Sequence, residues 1–151
     1  MRREGGGVRE KADIQRAALL FGIIFLAVGV LGFVPGITSD YDKLTVFDGV
    51  GAKLLGIIGI NILENVVHLL YGVAGLAAMS SWAASKNYFV WGGAIYLALW
   101  LYGLIIDESS SANFIGLNNA SHWLHFVLGV AMIGVGFLLS RRVAADRAMA
   151  T

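Results

Sequence analysis

An all-α, integral membrane four-helix bundle is the fold this sequence predicts, on three observations. Hydrophobic residues fill 58% of the 151 positions and charged residues only 14%, a balance foreign to a water-soluble domain. The apolar residues gather into four long runs whose length compares with the ~30 Å hydrocarbon layer at ~1.5 Å per helical residue. Glycine occurs 20 times and recurs within those runs, where small residues let helices approach closely in lipid.

The chain opens with residues 1–16, a basic tail carrying Arg2, Arg3, Arg9, Lys11 and Arg16. Gly5-Gly6-Gly7 is expected to keep its start flexible. The membrane domain is expected over 17–139. Its first span runs from Ala17 to Val34 and ends at Pro35-Gly36. This run is longer than a signal-peptide core and lacks an Ala-x-Ala cleavage pattern, so it reads as a retained span. A polar loop follows from Gly36 to Lys53, with a short structured piece around Leu44–Phe47. Gly49-Val50-Gly51 in that loop lacks the spacing of a phosphate-binding loop and reads as turn glycines at a helix entrance.

The second span is expected over 54–79, the third over 88–106 and the fourth over 121–139. Ser80–Asn87 is a short connection, which makes spans two and three antiparallel neighbours. Asp107–Ala120 is a second polar loop, and residues 140–151 form a basic tail with Arg141, Arg142 and Arg147. Of the 11 Lys and Arg, nine fall in the two tails and the Ser80 loop, and two in the loops on the other side. The positive-inside rule therefore places both termini of this multi-pass protein in the cytoplasm.

The polar residues inside these runs are the candidates for function. Asn61, Glu64, Asn65 and His68 share a helical stripe by their spacing of three and four. Unpaired polar groups in hydrocarbon are costly, so the stripe is expected to face other helices or a cavity. Tyr96, His122 and His125 are the available partners. An offset of 57 lays Asn61, Asn65, His68 and Gly72 over Asn118, His122, His125 and Gly129. The shared pattern suggests a two-fold repeat of helix hairpins.

Three uses of this cluster stand open. It can be glue between helices, fixing register or binding a partner. It can hold haem b, with His68 and His125 as the axial pair. It can handle protons or ions through Glu64, His68, Tyr96 and His125, because ionisable groups in a span are functional candidates. Zinc at His122-x-x-His125 would require three or four ligands, and only Asp107, Glu108 or Glu64 could complete the set, so no metal site is predicted. With no cysteine in the chain, disulfides, thiolate zinc sites and iron–sulfur ligation are excluded. No nucleophile elbow, H-E-x-x-H or paired intramembrane carboxylates are present, so no catalytic residues and no enzymatic activity are expected. The basic tails are short and explained by topology, which argues against a nucleic-acid partner. The expected partners are the lipid bilayer and another membrane protein or a second copy.

Leu31-Gly32-Phe33-Val34-Pro35-Gly36, Leu55-Gly56-Ile57 before Asn61, Asn65-Val66-Val67-His68, and Leu124-His125 with Gly129 resemble a bacterial four-helix membrane family known as domain of unknown function 4383. The resemblance spans about Arg16 to Leu139 and implies a bacterial inner-membrane protein with no established activity. In that family a second histidine is common where this chain has Glu64, and Asp-Asn where it has Ser121-His122. The departures leave His68 and His125 as the test residues.

Overall fold

The computed structural model describes residues 4–47 and 51–148, with side chains over 13–47 and 51–139. Four helices dominate: α1 (Glu4–Leu31), α2 (Ile62–Ala78), α3 (Trp82–Ile105) and α4 (Asn119–Ala148). Between α1 and α2 lie three short strands, β1 (Thr38–Ser39), β2 (Ala52–Leu54) and β3 (Ile58–Ile60), and a 3-10 turn at Tyr41–Lys43. The strands form an antiparallel sheet in the order β1-β2-β3, with Thr38 opposite Leu54 and Ala52 opposite Ile60.

Local chemistry sets the ends of the helices. Thr38 turns back on the end of α1 and donates to the carbonyls of Leu31 and Gly32, both at 3.2 Å. Ser81 caps α3 by accepting from Ala84 N, and Ser85 Oγ closes the same turn onto Ala78 O at 2.9 Å. Buried Asn113 organises the loop before α4: its Nδ2 donates to Leu117 O and its Oδ1 accepts from Leu117 N.

The expected second span differs in its first turns. Residues 54–60 form β2, β3 and their connection instead of helix. The helix begins only after Asn61, whose Oδ1 accepts from Glu64 N at 2.9 Å. An N-cap of this kind satisfies a backbone donor that the first helical turn cannot. Asn61 therefore ends the loop and does not sit inside a span. The tails differ too: backbone helix extends from Glu4, through Gly5-Gly6-Gly7, and to Ala148 at the other end. Gly49 and Val50 lie outside the described residues, and Gly51 precedes a strand.

The bundle is apolar outside and holds a polar cluster within, beside an apolar core that includes Ile14, Phe89 and Met132. Leu20, Leu70, Trp91, Ile105, Val127 and Leu138 are exposed, whereas Asn61, Glu64, Asn65, His68, His122 and His125 are buried. That inversion is what a lipid solvent selects. Three helices, α1, α3 and α4, are long and apolar enough to cross a membrane. With 17 residues, α2 spans ~25 Å.

The helices assemble as two close pairs, α1 with α2 and α3 with α4. A Cβ on Gly22 would lie 2.9 Å from Leu76 N and 3.0 Å from Gly72 O, so α1 meets α2 backbone to backbone. A Cβ on Gly93 would lie 2.8 Å from Gly129 O and 3.0 Å from Ile133 N, so α3 meets α4 in the same way. In hydrocarbon, close backbone approach supplies the packing attraction that burial of apolar surface cannot.

Candidate functional site

The polar stripe of α2 and the facing surfaces of α3 and α4 converge on one cavity. It has a volume of about 200 Å³ and is lined by Glu64, His68, Tyr96 and His125 together with apolar Leu63, Val67, Ile95, Leu99 and Ile115. The cap at Asn61 places Glu64 in the first turn of α2, and one further turn places His68 below it. His125 reaches across from α4: its Nε2 lies 3.3 Å from Glu64 Oε1, within ion-pair distance but not aligned as a hydrogen bond. Both side chains are almost wholly buried.

Aromatic rings pack beside the cavity-lining histidines. Phe25 stacks on Tyr96 with centroids 5.7 Å apart and an interplanar angle of 9°. His68 stacks on Phe25 at 5.9 Å, and His125 lies 5.2 Å from Tyr96. Each histidine thus leans on an aromatic residue of the helix with which its own helix is paired.

Several polar atoms in this centre have no hydrogen-bonding partner among the described residues. They are the second carboxylate oxygen of Glu64, Nδ1 of His68, Nδ1 of His125, the Tyr96 hydroxyl and both side-chain atoms of Asn65. Each such group costs ~1–3 kcal/mol of lost hydration when buried unpaired. A centre that carries several of them is a candidate for a functional role.

The sequence-predicted residues therefore divide. Glu64, His68, Tyr96 and His125 meet at the cavity. Asn65 turns instead toward α1, where a Cβ on Gly32 would overlap its side chain. His122 points away from His125: its Nε2 is 2.9 Å from Trp100 O and its ring lies over Gly103. It lines a separate cavity of about 140 Å³ near Glu108 and Asn113. Among the described residues no three histidine, aspartate or glutamate side chains converge as a metal ligand set.

Two features escaped the sequence reading. One is the pair of bridges between the helix pairs: Asn61 Nδ2 donates to Phe114 O at 2.8 Å, and Asn118 Nδ2 donates to Ile57 O at 2.8 Å. Asn118 also caps α4, accepting from Ser121 N at 2.9 Å as Asn61 accepts from Glu64 N. The other is the role of Phe25, which is 3% exposed and packs against His68 from α1. The signal for the caps was Asn three residues before Glu64 and three before Ser121, at the head of an apolar run.

No curated protein and no solved structure matches the chain. The family model described as Domain of unknown function (DUF4383) matches residues 15–138. Those bounds take in α1 from Gln15 onward, the sheet, both Asn caps, the cavity and α4 as far as Leu138. A bundle with an apolar exterior, a polar centre and that match is a membrane protein, and the chain belongs to the DUF4383 family.

Proposed function

We propose that this chain is a non-enzymatic, four-span component of the bacterial inner membrane, with both termini in the cytoplasm, whose polar centre locks two related helix pairs together and meets a partner. The carrying observation is that each polar bridge joins one pair to the other. Asn61 to Phe114, Asn118 to Ile57 and Glu64 to His125 all cross between the α1–α2 and α3–α4 halves. The two asparagine bridges are also reciprocal: Asn118 follows Asn61, and Phe114 follows Ile57, by 57 positions, the offset that also relates His68 to His125. On α1 and α3 the matching offset is 71, which relates Gly22 to Gly93, Phe25 to Tyr96 and Gly32 to Gly103. Both offsets support descent from one helix pair, with an axis along the membrane normal.

The scaffold reading is tested on the buried pair. Removing one partner of a buried pair costs about 3–5 kcal/mol, whereas replacing both with apolar residues is often neutral. His125→Leu is therefore expected to lower the unfolding temperature in detergent, and Glu64→Leu combined with His125→Leu to recover most of it. A double variant no better than the single one overturns the scaffold role. A C-terminal reporter fusion read out on the outer face overturns the orientation.

Proton handling is the second reading, favoured by the 3.3 Å approach of His125 to Glu64 on a cavity shared with Tyr96 and His68. Proteoliposome proton flux that survives Glu64→Gln removes it. Axial haem ligation by His68 and His125 fits this geometry poorly. Nε2 of His125 faces Glu64, and the cavity of about 200 Å³ is on the scale of one six-membered ring, since benzene occupies a cavity of ~150 Å³.

A further inference from the structure

We infer that the cavity between α2, α3 and α4 binds the head of a lipid-soluble quinone, which enters sideways from the bilayer through the seam between α2 and α3. The inference rests on the reading of the polar centre as the place where a partner meets the bundle, and it names the chemistry of that partner.

The two halves of the chain differ in the polar groups they carry at equivalent positions. At the position equivalent to Tyr96 the first half has Phe25, and at the position equivalent to Glu64 the second half has Ser121. Phe25 and Tyr96 each pack on the histidine of the adjoining helix, Phe25 stacked on His68 at 5.9 Å and Tyr96 tilted against His125 at 5.2 Å. Packing is therefore satisfied by phenylalanine, and the Tyr96 hydroxyl is an addition. Among the described residues it is buried without a hydrogen-bonding partner, as are the outer oxygen of Glu64 and Nδ1 of both histidines. All four residues are more than nine-tenths buried and line the same cavity. The polar additions are thus confined to one of two equivalent places, the one with the cavity.

Size and wall chemistry narrow the ligand. An apolar cavity of ~150 Å³ takes up benzene, so about 200 Å³ suits one substituted ring. The walls are Leu63, Val67, Ile95, Leu99 and Ile115, which suit the faces of such a ring, while a few polar groups at fixed places orient it. A tyrosine hydroxyl and an imidazole N–H donate hydrogen bonds, and a quinone carbonyl accepts them. A fatty-acid carboxylate would meet Glu64 instead. A phospholipid phosphate would find no lysine or arginine in the lining.

The route follows from the exposed wall. Ile95 is 50% exposed on the outside of α3 and lines both this cavity and a second one of about 310 Å³. The second cavity runs along the same seam, past Leu70, Ala74, Tyr88 and Trp91. Its largely apolar lining suits a hydrocarbon tail. Asn61, which caps α2, ties it to the loop before α4 at the polar end of the bundle, leaving the lipid side as the open approach.

The test uses the full chain in phosphatidylcholine nanodiscs, titrated with decylubiquinone and followed by quenching of tryptophan fluorescence, since Trp91 lines the seam. Saturable quenching is expected. Tyr96→Phe, which restores the residue of the equivalent position, should weaken binding about tenfold, the value of 1.4 kcal/mol for one hydrogen bond, without lowering the unfolding temperature. Ile95→Trp, on the lipid-facing side, should abolish saturation while the bundle stays folded. Decyl alcohol, with the tail and no ring, should not compete. Quenching that is non-saturable, or saturable but equal in wild type, Tyr96→Phe and Ile95→Trp, overturns the site. The scaffold reading fails independently, through the thermal behaviour of the Glu64→Leu and His125→Leu combination.

Discussion

Asn61 and Asn118 perform the same two tasks in mirror fashion: each caps its own helix through Oδ1 at 2.9 Å and donates through Nδ2 at 2.8 Å to a carbonyl in the opposite half of the chain. The two tasks separate by mutation. Asn61→Asp keeps the capping oxygen and loses the bridging donor; Asn61→Ala loses both. Loss of an N-cap costs ~1 kcal/mol, and loss of the bridging hydrogen bond a further ~0.5–1.5 kcal/mol. Thermal unfolding in detergent should therefore rank wild type above Asn61→Asp and Asn61→Asp above Asn61→Ala. The Asn118 series should follow the same order. An Asn61→Ala variant as stable as wild type would show that the bridge contributes nothing.

The glycines divide into those that set helix spacing and those that do not. At Gly22 an added Cβ would lie within 3.1 Å of backbone atoms of Gly72, Gly75 and Leu76, which cannot rotate away. Gly22→Ala should push α1 from α2 and destabilise the protein by about 1–3 kcal/mol, the range for overpacking. Gly134, with nothing within 4 Å of an added Cβ, should respond in the opposite direction. There alanine gains the helix-propensity difference of ~1 kcal/mol over glycine. Unfolding midpoints of the two variants in one detergent check both signs.

How far the sequence revealed this architecture depends on which physical signal each part carries. The long apolar runs of α1, α3 and α4 were legible because hydropathy over ~20 residues reports a membrane span directly. The inward position of Glu64, His68 and His125 was legible from the cost of polar groups in lipid. The start of α2 was not, because Leu54–Ile60 is as apolar as a span and only the Asn61 cap distinguishes it. The Gly22–Gly32 stretch matches Gly93–Gly103 at Gly22/Gly93, Ile24/Ile95, Leu26/Leu97, Ala27/Ala98 and Gly32/Gly103. It is invisible at a single offset of 57, because the connection holding β1, the 3-10 turn and β2 makes the first half longer. Which polar atoms remain unpaired depends on side-chain direction, and spacing alone does not supply that.

The connection between β2 and β3 holds a strained residue. Leu55 has φ +54° and Gly56 φ +74°, and Ile57 N donates to Leu54 O at 3.1 Å. Two consecutive positive φ values belong to a tight hairpin turn that favours Asn-Gly or Gly-Gly. A non-glycine side chain in this region costs roughly 1–2 kcal/mol. Leu55 is 66% exposed, so little packing is lost with its side chain. Leu55→Asn or Leu55→Gly should raise the unfolding temperature, by about 1 kcal/mol of stability. A fall on either substitution would mean that the exposed leucine is held by lipid or by another chain.

His122 and His125 are one turn apart on α4 yet serve different neighbours. His122 Nε2 meets Trp100 O at 2.9 Å, beside a ring stack with Trp100 at 6.2 Å, while His125 Nε2 meets Glu64 at 3.3 Å. A zinc ion would need both imidazoles and two further ligands within ~2.0–2.3 Å, and the two nitrogens are already directed at different helices. His122→Ala should consequently lower stability by about 1–3 kcal/mol, the range for losing one buried hydrogen-bond partner. It should leave any ligand affinity at the Glu64 cavity within twofold of wild type, since RT ln 2 is well under 1 kcal/mol. Added zinc should not raise the unfolding temperature of wild type relative to His122→Ala. A zinc-dependent rise lost in both His122→Ala and His125→Ala would show instead that the two histidines close on a common ion, with the α3–α4 contact at Trp100 opened to permit it.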